Sequence, residues 1–371
     1  MKILYVTTIA GTMDFFTDFI EKLVKSGHTV DLACNCEDPV NEFYHQINCK
    51  VYNIPFSRNP FSKSNLKAYM ELKSLVEKEK YDIVHCHTPI AAMCTRLACR
   101  KVRKKVTRVF YTAHGFHFYN GAPLKNWLMY YPVEKICAYF TDVLITINKE
   151  DYALAQKKMN AKRIEYVPGV GIDTKRFLGF ELSDEEKIEL RKEIGVPENA
   201  KLLVSVGELN ENKNHKVVLE ALSLLKDKNI HYAVAGIGEK EKYLKNYAKE
   251  LGLEDRFYLL GYRNDVSKLY KLANCFVHPS FREGLPVSVM EAMCSGLPCI
   301  VSKIRGNEDL VENNVNGFCC NSSVPNEFAT VIEKLIRDSD LCKKISQANI
   351  IKSQEFGIAS INREMMKIYF S

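Results

Sequence analysis

At 371 residues, with 46% hydrophobic and 26% charged side chains, the chain is too long for one ordinary hydrophobic core and too apolar for a disordered one. Its net charge of +7, from 52 basic against 45 acidic residues, is too modest for a dedicated nucleic-acid binder, while leaving room for a local phosphate or anionic-membrane patch. Two domains of roughly 150–200 residues each are expected.

The opening "KILYVTTIAGTMDF" is too briefly apolar for a signal peptide and leads into "DFFTDFIEKLVKSGH", which places Phe15, Phe19 and Leu23 on one helical face before the strand "TVDLAC". Strand and helix then alternate through "KVYNIP", "NLKAYMELKSLVEKEK", "YDIVHCH", a helix near 90–101, "RVFYTAH", a helix near 125–140 and "DVLITI". Near 168–200, "PGVGIDTKRF" and the charged "SDEEKIELRKEIG" read as a linker into a second series. That series runs "KLLVSVGEL", "NHKVVLEALSLLKDK", "IHYAVAGIG", "EKEKYLKNYAKELG", "RFYLLGY", "DVSKLYKLA", "CFVHPS", "PVSVMEAMCSG" and "PCIVS". The expectation is α/β: two doubly wound domains, 1–172 and 173–354, with a helix over about 355–371 that packs on one or the other. In such sheets ligands sit beyond the carboxyl ends of the strands, so the site is expected in a cleft between the domains.

The thirteen cysteines include Cys34/Cys36 and Cys319/Cys320 but no C-x-x-C spacing, and read as reduced, mostly buried thiols of a cytosolic protein. Nowhere do 18 apolar residues run consecutively, so no segment is expected to span a bilayer. His85 and His87 alternate on one strand and could pair with His114 or His117 around a metal, but no carboxylate stands at useful spacing and no metal is expected. Gly236 and Gly238 in "GIGE" read as a tight strand-to-helix turn. The basic run "RKVRKKVTR" (100–108) is either a solvated helix end or a contact for anionic headgroups, and the aromatic stretch 118–140 is either core or an interfacial surface.

The stretch "FREGLPVSVMEAMCSGLPCI" (281–300) is the richest in chemistry, with Pro286 at a helix start, Gly296 at its stop and carboxylates at Glu283 and Glu291. A helix N-terminus favours an anion, so a carboxylate beside it needs another task, such as accepting sugar hydroxyls. The bland alternative has Glu283 capping the helix and Glu291 paired with a lysine.

With "GHTVDLAC", "DIVHCHTP", "YTAHGFHF", "VPGVGIDTKRF", "VGELNENKN", "LLGYRNDV", "VHPS" and "VENNVNGF" in order, this stretch resembles the E-x7-E signature of the retaining family 4 glycosyltransferases of GT-B architecture, over nearly all of the chain. It is most similar to those of bacterial exopolysaccharide and capsule synthesis. The resemblance implies a nucleotide-sugar donor, UDP-linked by expectation, held mostly by the second domain. Glu291 would accept from ribose hydroxyls and Glu283 from donor-sugar hydroxyls, with Gly284 and Leu285 close to sugar and diphosphate. Lys213 would neutralise the leaving diphosphate, His114 would face the donor sugar, and Gly11 would allow close approach. Arg282, Gly236 and Arg263 complete the implied donor site, and no cofactor is implied. One departure stands out: Glu208 occupies the place of a usual arginine, a loss that Arg282 could supply.

The reaction implied by the resemblance is retaining, metal-independent transfer to a hydroxyl of a saccharide acceptor, with a membrane polyprenyl diphosphate as the suggested lipid carrier of that saccharide. The implied location is cytoplasmic and peripheral to an anionic membrane surface. Two competing readings are a nucleotide-sugar 2-epimerase of the same architecture and a catalytically silent nucleotide-sugar-binding protein, the latter favoured only by Glu208.

Overall fold

The computed structural model describes residues 1–104 and 106–371; Lys105, within the basic run, lies outside the described residues. The chain divides into two compact units, residues 1–170 together with 362–371, and residues 171–361.

The first unit is built on seven parallel strands: β1 (Lys2–Ile9), β2 (Thr29–Asn35), β3 (Lys50–Asn53), β4 (Ile83–His87), β5 (Arg108–Ala113), β6 (Val143–Thr146) and β7 (Arg163–Tyr166). They lie in the order β3-β2-β1-β4-β5-β6-β7, and every neighbouring pair is parallel. The interior strands are buried almost throughout and largely apolar because helices cover both faces. One of those covers is the cluster of Leu72, Val76, Ala91, Ala98, Phe118 and Ala138 over Val84, Val109 and Leu144.

The second unit repeats that plan with β8 (Lys201–Val206), β9 (Ile230–Ala235), β10 (Phe257–Leu259), β11 (Cys275–His278), β12 (Cys299–Ser302) and β13 (Gly317–Cys320). Its order is β10-β9-β8-β11-β12-β13, again all parallel. Both sheets are thus wound outward from their first strand in two directions, and each has one point where the winding reverses: between β1 and β4, and between β8 and β11.

Local rules account for the elements and for the differences from expectation. The charged stretch read as a linker forms the helix Asp184–Glu193, started by a reciprocal capping box between Ser183 and Glu186. It is not a free tether, since Leu190 and Ile194 pack onto Leu202, Val204 and Ala233 of the second sheet. After β1 the chain forms a 3-10 segment, Ala10–Phe16, and the α-helix begins only at Thr17. The tighter winding changes the phase, so Phe16 is buried and Phe15 is exposed, contrary to the expected stripe. Strands β7 and β13, the helix Lys149–Lys158 and the helices Pro325–Arg337 and Ser339–Ser353 complete regions that sequence pattern left unassigned. β7 reads "RIEY", a half-buried edge strand with two charges, too short and polar to signal itself.

The final helix is Ile358–Phe370, and its last turns belong to the first unit. There Tyr369 shares hydrogen bonds with His85 Nδ1 (2.6 Å) and Tyr5 (2.9 Å), and its carbonyl accepts from Arg108 (2.7 Å). All thirteen cysteines are free thiols, most of them buried. Among the described residues no helix is long and apolar enough to cross a membrane.

Candidate functional site

In a doubly wound sheet the loops that leave the reversal point part company and open a crevice at the carboxyl ends of the strands. In the second unit those are the loops after β8 and β11, and both are laced to each other by backbone and amide groups. Phe281 N–H donates to the Asn212 carbonyl (2.8 Å), and Asn212 Nδ2 donates to the Arg282 carbonyl (3.0 Å). Asn214, in the left-handed conformation at φ 52°, donates to the carbonyls of Pro279 (3.1 Å) and Ser322 (2.8 Å).

This lacing brings Lys213 and Glu283, seventy residues apart, into direct contact: Lys213 Nζ lies 2.7 Å from Glu283 Oε1. His278, at the end of β11, meets the same oxygen through Nε2 at 3.0 Å, with Ser280 Oγ 3.2 Å from that nitrogen. Burial alone would raise the Glu283 carboxyl, but His278 and Lys213 outweigh it and hold it well below the usual carboxylate range. Burial lowers His278 despite Glu283, so at neutral pH the imidazole is an uncharged N–H donor and Lys213 supplies the balancing charge. The result is a fixed, ionised carboxylate with one oxygen held and a cation beside it.

Glycines make the room for these loops. A Cβ on Gly236 would stand 1.8 Å from the Gly207 carbonyl oxygen, and one on Gly238 would stand 2.4 Å from that of Leu209. The expected tight turn is therefore the seat against which the Lys213 loop rests. On the other side, Gly306 at φ 77° passes so close to Gly284 that a Cβ would lie 2.3 Å from its carbonyl oxygen. Next to it, Arg305 Nε donates to the Glu283 carbonyl at 3.2 Å. Sequence reading missed both Arg305 and His278. "SKIRGNE" has no motif of its own, although the histidine of "VHPS" stood inside a quoted segment.

Glu291 sits on the helix Val287–Cys294, where Pro286 is the N-cap and no side chain caps the amides. Neither bland reading of the two carboxylates holds: Glu283 is not the cap, and Glu291 accepts from Tyr270 (3.2 Å) rather than pairing with a lysine. Burial pushes Glu291 up to about 7, against the opposing pull of the Tyr270 hydroxyl and Arg176. Leu285 is buried beneath the loop. Arg282 is exposed and forms no ion pair among the described residues, whereas Glu208 is exposed and accepts from Asn210 Nδ2 (2.9 Å). Arg263 is not brought to this group, because its guanidinium is held by Asp265 (2.7 Å) and Glu193.

The first unit's reversal point is built from uncharged rings. His87 Nδ1 lies 3.1 Å from His114 Nε2, and Phe16 stacks on His87 with centroids 4.0 Å apart. Burial pushes His114 down to about 4, and burial with the neighbouring histidines takes His87 well below its ordinary value, so both are neutral at pH 7. His85 is occupied by Thr112 (2.8 Å) and Tyr369, and among the described residues no three His, Cys, Asp or Glu side chains are arranged to hold a metal. Thr88, a β-branched residue at φ 62°, follows β4 as the N-cap of the next helix and bonds Thr8 (2.6 Å), which puts backbone strain at the sheet's reversal point. Gly11 lies in the adjoining 3-10 segment, where a Cβ would meet nothing within 4 Å, so the protein's own packing does not demand glycine there.

Two doubly wound units, one carrying a lysine–glutamate pair at its reversal point, define the GT-B class of glycosyltransferase architecture. Comparison with known proteins agrees. The description "Glycosyl transferases group 1" matches residues 186–351, and "Glycosyl transferase 4-like" matches residues 2–148. EpsD of Bacillus subtilis (strain 168), named as a glycosyltransferase, is 40% identical over 86% of this chain and 84% of its own length. The Escherichia coli UDP-Gal:alpha-D-GlcNAc-diphosphoundecaprenol alpha-1,3-galactosyltransferase is 31% identical over 90% of this chain and 85% of its own. Among solved structures, Anabaena HepE in complex with UDP-glucose superposes with a TM-score of 0.82 at 21% identity, covering 100% of this chain and 99% of that one. The chain belongs to this glycosyltransferase family.

Proposed function

We propose that the protein transfers a sugar, with retention at the anomeric carbon and without a metal ion, from a UDP-sugar to a hydroxyl of a lipid-linked saccharide during surface-polysaccharide assembly. The observation that carries the reading is the Lys213–Glu283–His278 group at the carboxyl ends of β8 and β11. A carboxylate with one oxygen fixed keeps the other for sugar hydroxyls, and a lysine at 2.7 Å can follow the charge that grows on a departing diphosphate. Lys213 has three N–H donors and spends one on Glu283, and Arg282 stands exposed on the neighbouring loop, beside Glu283, to replace the cation lost at Glu208. The leaving diphosphate would itself take the acceptor proton on the front face, since no protein nucleophile is implied beneath the sugar. Glu291 would accept the ribose hydroxyls once ionised, and the neutral His114 would offer the donor sugar a hydrogen bond without charge.

The names of relatives support the donor and acceptor classes. One acts from UDP-Gal on a diphosphoundecaprenol-linked sugar, and a structural neighbour at 21% identity was solved with UDP-glucose. The Staphylococcus aureus capsular polysaccharide biosynthesis glycosyltransferase CapM, 23% identical over 93% of this chain, supports the polysaccharide setting. The test is UDP release from a panel of UDP-, GDP- and ADP-sugars in the presence of a polyprenyl-diphosphate-linked acceptor, with and without chelator. Chelator-resistant release from a UDP-sugar is expected, and an α-linked product from an α-linked donor. Release that needs a divalent ion, or inversion at the anomeric carbon, would overturn the corresponding part.

A further inference from the structure

The helix Leu124–Ala138 is apolar on both of its faces. Its inner face sets Trp127, Tyr130, Tyr131 and Ala138 against the first unit's core. At about 100° per residue, Leu124, Leu128, Met129, Val133, Ile136 and the following Tyr139 fall together on the opposite side, and all six are exposed, Leu124 by 72% and Leu128 by 69%. A surface helix ordinarily turns polar residues outward, yet the only charges on this face are the cations Lys125 and Lys135. The helix's only carboxylate, Glu134, is turned inward, 2.8 Å from Arg96 and 3.2 Å from the Tyr111 hydroxyl.

A basic segment adjoins the C-terminal end of this face. Arg103 Nη1 donates to the Tyr139 carbonyl at 3.1 Å and its Nε bonds Asp142 at 2.9 Å, which fixes the short 3-10 helix Val102–Lys104 against the helix end. Arg100, Lys101 and Lys104 around it are exposed, and so is the apolar Val106.

We propose that this apolar helix face, with the basic segment beside it, docks the protein on an anionic lipid surface. An apolar stripe rimmed only by cations suits the boundary between acyl chains and anionic headgroups, with the helix lying in the plane. A second copy of this chain is a poorer occupant, because a two-fold interface would set the same lysine rim against itself. The inference deepens the reading above by naming the surface through which a membrane-borne acceptor would be met, and it is tested separately from turnover.

The experiment is sedimentation of the intact protein with phosphatidylglycerol and phosphatidylcholine vesicles, beside Leu128→Ser/Ile136→Ser and Lys101→Glu/Lys104→Glu. Circular dichroism melts and UDP titrations accompany each variant; all four side chains are outside the donor site, so both should be unchanged. Binding to phosphatidylglycerol but not phosphatidylcholine is expected. The serine pair should weaken it at least about tenfold, and the charge pair about fivefold per residue, with the latter loss shrinking as salt is added. Absence of vesicle binding by the intact protein overturns the proposal, as does binding that both variants retain. A dimer that the serine pair converts to monomer, without vesicle binding, assigns the face to a second copy instead. Intact UDP binding with lost vesicle binding leaves the transferase reading standing; lost UDP release with vesicle binding intact does the reverse.

Discussion

The two units share one strand order, and their reversal points carry opposite chemistry. In the second, a lysine and a glutamate lie 2.7 Å apart among Arg282 and Arg305; in the first, His87, His114 and Phe16 form a neutral stack. The same topology thus supplies two crevices at strand ends, and side chains alone decide what each can address. A charged pair is suited to a group whose charge changes during reaction. Neutral imidazoles are suited to hydroxyls, which need a directed hydrogen bond and no countercharge.

Breaking the charged pair should have the largest effect. Lys213→Ala is expected to lower turnover about 10²–10³-fold while changing UDP affinity far less, because its partner charge is greatest in the transition state. Glu283→Gln should also cripple transfer with UDP affinity nearly intact. Steady-state UDP release beside calorimetric UDP titration checks both; equal losses in binding and turnover would reduce the pair to a structural lock.

The seat of the lysine loop comes next. Gly236→Ala forces a Cβ to within 1.8 Å of the Gly207 oxygen, so it should cost about 1–3 kcal/mol of stability and carry Lys213 out of register. Thermal melts together with turnover report this, and an unchanged enzyme would show that the loop is freely adjustable.

The neutral stack makes a pH prediction of defined sign. His85 and His114 have folded values near 3 and 4, below the ordinary 6.5, so the fold favours their uncharged forms. Their stabilisation is present above pH 6.5 and is lost as pH falls toward 4, where the unfolded chain takes up protons that the fold refuses. Urea midpoints between pH 7 and 4.5 should fall, and His85→Gln should flatten the slope even if it lowers the plateau. A profile indifferent to the substitution would mean that other groups govern acid lability.

Glu291 should give binding a pH dependence of the same sign, through a carboxyl that is raised rather than an imidazole that is lowered. With its carboxyl near 7, UDP affinity is expected to drop several-fold as pH falls from 8 to 6, and Glu291→Gln should be weak but level across that range. The smallest effect is expected at Arg263. Arg263→Met should cost about 0.5–1 kcal/mol by releasing Asp265 and Glu193, with UDP affinity unchanged. A loss of affinity would return Arg263 to the donor site.

Much of this was legible before any coordinates. Buried parallel strands write themselves as largely apolar runs such as "LLVSV" and "CIVS", and Pro286 and Gly296 bracket a helix of 287–294. The edge strands β7 and β13, the phase of the Ala10–Phe16 segment and the packing of Leu190 on the second sheet were not, because each depends on neighbours distant in sequence. By itself the sequence determined the α/β class, the two-unit plan and the residues able to carry charge at strand ends. Only the tertiary structure decided that Lys213 meets Glu283 with His278, that Glu291 faces Tyr270, and that Arg263 is spent on Asp265 and Glu193. The physical reason is that local pattern records what each stretch can bury, whereas ionisation and pairing depend on which loops the sheet order brings to the same end.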